Sequence, residues 1–140
     1  MGELSLDSPT TTTISTQDTY TQISGATSLG NETTMVTSPS AGTLQYNGQD
    51  DAFVHVTASA TVTAPAGDTF AVVIAKNGTA EPPSEINADG VSGVPIPIAT
   101  TGVEDLTSGD TLSVQIKNID GTGNMDVELY NMAFIGFYTI

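Results

Sequence analysis

The chain has 140 residues, with 16 acidic side chains against two lysines and a formal net charge of −14. One domain is expected at this length, and a chain so poor in basic residues is excluded from binding nucleic acid or anionic membrane surfaces. Because Cys is absent, a disulfide framework and a thiol nucleophile are excluded as well.

The first part of the chain predicts little regular structure. Residues 1–17 contain a run of four threonines after Pro9, and such a polar segment cannot offset its ordering entropy alone. We therefore predict a flexible Thr-rich N-terminal arm over residues 1–17 and a domain over residues 18–140. A short strand is expected at Thr19–Ile23, and residues 24–42 are expected to be loop with one edge strand.

The middle of the chain changes to alternating and β-branched patterns. Leu44 and Tyr46 alternate with Gln45 before an Asn-Gly turn. A long strand is predicted over Phe53–Thr63, and the apolar run Phe70–Ala75 predicts a buried strand that ends at a second Asn-Gly turn. Residues 79–93 are expected to form a long loop.

The last third of the chain predicts three more strands. The strand Val94–Ile98 alternates Pro with aliphatic residues, and Pro favours the edge of a sheet because it cannot donate a ladder hydrogen bond. Leu112–Ile116 alternates strictly. Met125–Ile140 reads as two segments or as one long strand with a kink at Gly136. The chain is predicted to be all-β, with turns spaced as in a sandwich or barrel.

No residue pattern indicates catalysis, a cofactor or a metal site. His55 is the only histidine, and without a selected nucleophile and carboxylate it is interpreted as a structural or interface residue, with a pH switch at a subunit contact as the functional alternative. The acidic turns, such as the one at Asp120, lack the spacing of an EF-hand calcium loop. The protein is therefore predicted not to be an enzyme.

Five segments in fixed order resemble the tumour-necrosis-factor/C1q-like jelly rolls of phage and viral virion proteins. They are the long strand Phe53–Thr63, the apolar strand and Asn-Gly turn Phe70–Gly78, the Pro-containing strand Val94–Ile98, the phrase L-x-x-G-D at Leu106–Asp110 with its alternating strand, and the aromatic ending Phe134–Tyr138. The resemblance implies a jelly-roll β-sandwich of about eight to ten antiparallel strands that forms homotrimers.

The same resemblance implies a function. We expect a virion structural protein, a homotrimeric capsid decoration protein that projects from the particle surface. The alternative is a receptor- or carbohydrate-binding head module of a phage tail or head fibre, with a host glycan as ligand. The expected partners are other copies of the chain and, through residues 1–40, a major capsid protein or fibre base. No signal peptide is visible, so synthesis in the host cytoplasm and a place on the virion surface are expected.

Bulky side chains on both faces of the terminal strand predict a contact between copies. The residues expected at this oligomer interface are Tyr46, Phe53, Phe134, Phe137 and Tyr138. Because the acids concentrate in predicted turns, the interface is expected to be nearly free of charge and the outer surface strongly negative.

Overall fold

The computed structural model describes residues 1–30 and 35–139, with the side chains of the last strand described as far as Ile135. The described residues form thirteen strands and two short 3-10 turns, Pro65–Gly67 and Pro82–Ser84. In chain order the strands are β1 (Gly2–Leu6), β2 (Thr10–Ile14), β3 (Thr21–Gln22), β4 (Thr27–Leu29), β5 (Val36–Thr37), β6 (Leu44–Tyr46), β7 (Ala52–Thr63), β8 (Phe70–Lys76), β9 (Thr79–Ala80), β10 (Ile86–Ala88), β11 (Ile96–Leu106), β12 (Thr111–Asn118) and β13 (Gly123–Thr139). Within this described part, no helix has the length and apolar character needed to cross a membrane.

The strands form two antiparallel sheets packed face to face. Sheet A has the order β11-β7-β13-β1-β4, with β2 also paired to β13. Sheet B has the order β10-β8-β12-β6-β5, with β3 paired to β12 and β9 to β8. The predicted all-β jelly-roll sandwich is confirmed by this architecture. The core lies between the sheets, where Leu4, Val56, Phe70, Ile116 and Met132 have almost no exposed surface.

The most regular sequence patterns fold as predicted. β7 buries every second side chain from Ala52 to Val62, because one face of the strand meets the core and the other faces outward. β8 is buried on both faces, which explains its unbroken apolar run. The terminal segment is one long strand, β13, and its register shifts between Gly136 and Tyr138, where the kink was expected.

The Pro-containing strand lies at an edge, as its prolines predict. β11 pairs with β7 alone among the strands of sheet A, but it continues to Leu106, well past the predicted end at Ile98. Residues 79–93, expected to be loop, contain β9, β10 and a 3-10 turn. These additions are short or rich in Thr, Gly and acidic residues, so their apolar pattern is weak.

The N-terminal segment differs from the expected flexible arm. β1 pairs with residues 131–134 of β13, and β2 pairs with residues 123–127 of the same strand. Leu4, Leu6 and Ile14 are buried in the core, and the buried Thr12 hydroxyl accepts a hydrogen bond from the Ser24 backbone N–H at 2.9 Å. The ordering entropy of the segment is therefore offset by burial and strand pairing that the Thr run does not reveal.

The L-x-x-G-D phrase forms the turn between β11 and β12. Gly109 has a φ of +95°, a conformation that a residue with a Cβ rarely adopts. The Asp110 carboxylate accepts hydrogen bonds at 2.9 Å from the Thr107 backbone N–H and from the Asn77 side-chain amide, and Lys76 Nζ lies 3.5 Å away. Asp110 therefore joins this turn to the Asn-Gly turn after β8.

Candidate functional site

Several exposed apolar side chains of the described residues lie on the outward face of sheet A. Val103 on β11, Leu129 on β13 and Ile135 on β13 are 65%, 66% and 54% exposed. His55 lies on the central strand β7, where it pairs with Val103 of β11 on one side and with Ile135 of β13 on the other. Phe53, one step further along the outward face of β7, is 42% exposed.

We call the outward side chains of the three central strands the assembly face. Its members on β7 are Phe53, His55, Thr57, Ser59 and Thr61; on β11 they are Pro97, Ala99, Thr101 and Val103; on β13 they are Leu129, Asn131, Ala133 and Ile135. The register places these residues in rows across the sheet, so that Ala99, Ser59 and Asn131 form one row and Thr101, Thr57 and Ala133 form the next. The small middle rows lie between larger apolar side chains at both ends.

A β-bulge shapes one end of the assembly face. The pairing of β13 with β7 shifts between Val127 and Leu129, and such an extra residue re-aims the side chains beside it. Leu129 then projects next to a cavity of about 580 Å³, which is also lined by Ser59, Ala99 and Pro97. The bulge thus produces a concave surface between a projecting leucine and the edge strand.

Charged side chains lie at the margins of the assembly face. Asp105 extends the row of Phe53 on the edge strand, and Glu3 lies opposite Ala133 on β1. At the far end of β13, Asp126 comes before the bulge and Glu128 lies within it. The rows from Leu129 to Ile135 are therefore bordered, but not interrupted, by carboxylates.

Both lysines are held by carboxylates outside this face. Lys76 Nζ lies 3.3 Å from Asp105 and 3.5 Å from Asp110. Burial lowers the pKa of Lys76, but the hydrogen bond and charge of Asp105 outweigh this effect, so the pKa is raised. Lys117 lies 3.0 Å from Asp18 and 3.6 Å from Glu85. Neither lysine is thus available to neutralise the excess acidic charge elsewhere.

A second polar cluster fixes the N-terminal segment on the outer side of sheet B. Lys117 Nζ lies 4.8 Å from the centre of the Tyr20 ring, and the Tyr20 hydroxyl donates a hydrogen bond to Glu85 at 2.5 Å. Burial, together with Glu85, raises the pKa of Tyr20. This cluster joins the N-terminal segment to β12 and to the loop before β10.

The residues predicted at an oligomer interface do not lie together. Phe53 is on the assembly face, whereas Tyr46 and Phe134 are 5% and 2% exposed in the core, and the Tyr46 hydroxyl donates to the Asp50 carbonyl at 2.7 Å. These two residues are therefore corrected to core positions, because the sandwich itself buries their bulk. The side chains of Phe137 and Tyr138 lie outside the described residues; the backbone pairs Tyr138 with Phe53.

Sequence reasoning missed the exposed aliphatic members of the assembly face. Val103 follows Gly102 in a stretch for which no strand is predicted, and Leu129 and Ile135 lie in the predicted terminal segment Met125–Ile140 but not among the residues expected at the interface. Successive side chains of a strand point to opposite faces, so the exposure of Ile135 follows once the neighbouring Phe134 is placed in the core. Leu129 depends on the bulge, which the sequence does not mark.

The described residues were also compared with the geometry of a metal site. Within residues 1–30 and 35–139, no group of three or more His, Cys, Asp or Glu side chains is placed to hold a metal ion. His55 Nε2 lies 2.5 Å from the Thr101 hydroxyl, a neighbour on the assembly face.

The fold is similar to those of solved domains at low sequence identity. No protein-family model matches the chain, and no curated protein matches its sequence. Murine APRIL superposes with TM-scores of 0.56 at pH 8.5 and 0.57 at pH 5.0, in both cases with 14% identity over 91% of this chain and 98% of that chain. The Eiger TNF of S. frugiperda superposes with a TM-score of 0.53 and 14% identity, over 100% of this chain and 94% of that chain. The chain thus has a jelly-roll fold of the tumour-necrosis-factor type.

Proposed function

We propose that this protein is a virion structural protein that forms homotrimers through the assembly face and decorates the particle surface. The observation that carries the proposal is the assembly face itself, which has exposed aliphatic side chains at both ends and small uncharged residues between them, on a strongly acidic chain. Exposed apolar side chains grouped on one face of a soluble protein mark interaction sites. The number of copies, three, is what the resemblance to tumour-necrosis-factor/C1q-like jelly rolls implies.

Charge supports a second copy of the chain as the occupant of this face. With a net charge of −14 per chain, two copies repel each other wherever their acidic surfaces meet. The rows from Leu129 to Ile135 contain no Asp or Glu side chain on the described outward face. Contact there brings copies together with the least repulsion and removes three projecting aliphatic side chains per copy from water.

The remaining acidic surface suits a component that projects from a larger assembly. Charge on the outer surface keeps free copies apart until they assemble. We place the contact with a major capsid protein or fibre base within residues 1–40, in the exposed turns between β1 and β4, since β1 and β2 themselves are held in sheet A. Binding there would stabilise the shell by mass action.

A matched pair of charge substitutions tests the self-association. Val103 on the assembly face and Val91 off it are exposed to similar extents, 65% and 52%. Val103→Glu is expected to convert the assembled protein into a monomer in size-exclusion chromatography with light scattering, because a carboxylate would be buried between copies. Val91→Glu is expected to leave the mass unchanged. Equal behaviour of the two variants would exclude the assembly face as the contact.

The virion assignment needs a separate test. Particles purified from the producing cells are expected to contain the protein, and quantitative mass spectrometry is expected to find it in a fixed ratio to the major shell protein. If the protein is recovered only in the fraction without particles, the virion assignment is wrong even where the trimer is real.

A further inference from the structure

The dipeptide Asn-Gly occurs twice in the chain, and the fold places the two copies in different surroundings. Asn77-Gly78 is the two-residue turn between β8 and β9, with φ values of +52° at Asn77 and +80° at Gly78. Two left-handed residues are what the tightest hairpin turn requires. Both residues are exposed, and a Cβ added to Gly78 would meet no atom within 4 Å. The backbone of this turn is therefore open to solvent.

The other copy, Asn47-Gly48, is covered by its own neighbours. Gly48 is buried, and a Cβ added to it would overlap the Tyr46 hydroxyl. That hydroxyl is fixed because it donates a hydrogen bond to the Asp50 carbonyl at 2.7 Å. The Asn47 backbone N–H donates to the Met35 carbonyl, also at 2.7 Å. The backbone nitrogen of Gly48 is thus held in a packed segment, whereas that of Gly78 lies in an open turn.

Hydrogen bonds polarise the side-chain amide of Asn77. Its Oδ1 accepts a hydrogen bond from the Thr111 backbone N–H at 2.9 Å, and its Nδ2 donates to the Asp110 carboxylate at 2.9 Å. A donor on Oδ1 stabilises the negative charge that collects on this oxygen when a nucleophile attacks Cγ. A polarised carbonyl followed by an accessible backbone nitrogen is the arrangement that an intramolecular attack needs.

We propose that Asn77 is a site of spontaneous deamidation in the folded protein, and that Asn47 is protected. The Gly78 backbone nitrogen forms a bond to Asn77 Cγ and gives its proton to water. The Cγ–Nδ2 bond breaks, and Nδ2 takes a proton from water and leaves as ammonia. A further water molecule then hydrolyses the five-membered imide to aspartate or isoaspartate. The net reaction consumes one water and releases one ammonia, and it does not depend on the proposed function.

The product places a carboxylate against Asp110. In the native turn, the hydrogen bond from Asn77 is one of the contacts that lower the pKa of Asp110. After deamidation an acidic oxygen replaces this donor, and two neighbouring carboxylates repel each other. Lys76 Nζ, 3.5 Å from Asp110, already has Asp105 as a second partner. Deamidation is therefore expected to weaken the junction between this turn and the turn that precedes β12.

Trypsin and mass spectrometry test the proposal directly, because the two lysines are the only basic cleavage sites. Cleavage after Lys76 and Lys117 places Asn47 in residues 1–76 and Asn77 in residues 77–117. The folded full-length protein is incubated at pH 8, and samples are digested and fragmented at intervals to locate each converted amide. We expect conversion at Asn77 to be several-fold faster than at Asn47. No conversion at Asn77, or conversion at Asn47 that is equally fast, would overturn the proposal.

The same incubation in urea separates the effect of the fold from that of the dipeptide. Without the fold, Gly48 is no longer covered by Tyr46, so we expect the ratio of the two rates to fall. An unchanged ratio would show that the structure does not select Asn77. Asn77→Gln is the matched variant, because attack on its longer side chain would need a six-membered ring. We expect it to remove the conversion from this turn, and a conversion that persists at residue 77 would refute the assigned chemistry.

A second pair of variants tests the consequence of the modification. Asn77→Asp introduces the product carboxylate beside Asp110, whereas Asn47→Asp introduces one near the Thr37 hydroxyl, to which Asn47 donates at 2.8 Å. We expect Asn77→Asp to lower the midpoint of urea unfolding at pH 7 by more than Asn47→Asp does. A smaller or equal decrease for Asn77→Asp would contradict the expected weakening of the turn junction.

Discussion

The carboxylate of Asp110 allows the sharpest prediction for the fold. Burial raises the pKa of Asp110, but hydrogen bonds from Asn77 and Thr107 and the charge of Lys76 lower it by more, so its pKa lies below the usual range. Hydrogen bonds to a charged group are each worth about 1.5–3 kcal/mol. The side chain is 16% exposed, and its two donors at 2.9 Å regain some hydration once Asp110 is removed. We therefore expect Asp110→Ala to cost about 2–3 kcal/mol.

Thermal and urea unfolding would measure this loss. For a chain of this length, 2–3 kcal/mol corresponds to a decrease in Tm of about 10 °C. Asp105→Ala is the matched control, since Asp105 contacts the same lysine but is 71% exposed, and its loss is expected to cost less than about 1 kcal/mol.

The pH dependence provides a second check on Asp110. Because its folded pKa is below the unfolded value of about 3.9, its contribution is fully present above that value and is lost as the pH falls through the folded pKa. The difference between wild type and Asp110→Ala should therefore shrink between pH 5 and pH 2. A difference that stays constant over this range, or a loss no greater than that of Asp105→Ala, would refute the role assigned to Asp110.

Three further predictions concern the core and the outer clusters. Burial raises the pKa of Glu104, so the folded protein loses stability as the pH rises from the usual carboxyl pKa through the pKa of the folded state. Glu104→Gln should therefore be more stable than wild type in urea unfolding at pH 7 but not at pH 3. Tyr20→Phe removes the hydrogen bond to Glu85 and should cost about 1 kcal/mol in chemical unfolding. Phe134→Ala should lower the free energy of unfolding by about 3–5 kcal/mol in the same assay, because Phe134 is buried in the core. Phe53→Ala should change the unfolding of the monomer little, but it should weaken self-association.

Each of these predictions has a result that would contradict it. Equal stability of Glu104→Gln and wild type at both pH values would show that burial of this carboxylate has no cost. Unchanged stability of Tyr20→Phe would remove the cluster on sheet B as a stabilising contact. Similar losses for Phe134→Ala and Phe53→Ala would contradict the division between core and assembly face.

The strands best predicted from the sequence are those in which the pattern of polar and apolar residues follows directly from which faces are buried. β7 alternates because only one of its faces is buried, and β8 is apolar throughout because both of its faces are. β12 alternates in polarity, although its polar Ser113 and Gln115 are buried as well as its apolar residues. The pairing of β1 and β2 could not be predicted, since the order of strands in a sheet depends on contacts more than 100 residues apart, such as Thr11 with Asp126. A polar Thr run is compatible with both an arm and a paired strand.

The candidate site was only partly predictable for a related reason. Aromatic bulk shows that a side chain must be buried, but it does not say whether the fold or a neighbouring copy buries it. Phe53 lies on the assembly face and Phe134 lies in the core, although both are phenylalanines in long strands. Only the register between β7 and β13 separates the two faces, and the bulge before Leu129 shifts that register.

The mass of the wild-type protein in solution tests the central claim most directly. Sedimentation equilibrium at micromolar concentration and pH 8 should give a single species of about 43 kDa, three times the chain mass of 14.3 kDa. A trimer would agree with the proposal that copies meet at the assembly face, where Val103, Leu129 and Ile135 are exposed in the single chain. A single species of 14.3 kDa across the concentration range would contradict the claim that this protein works as a trimer.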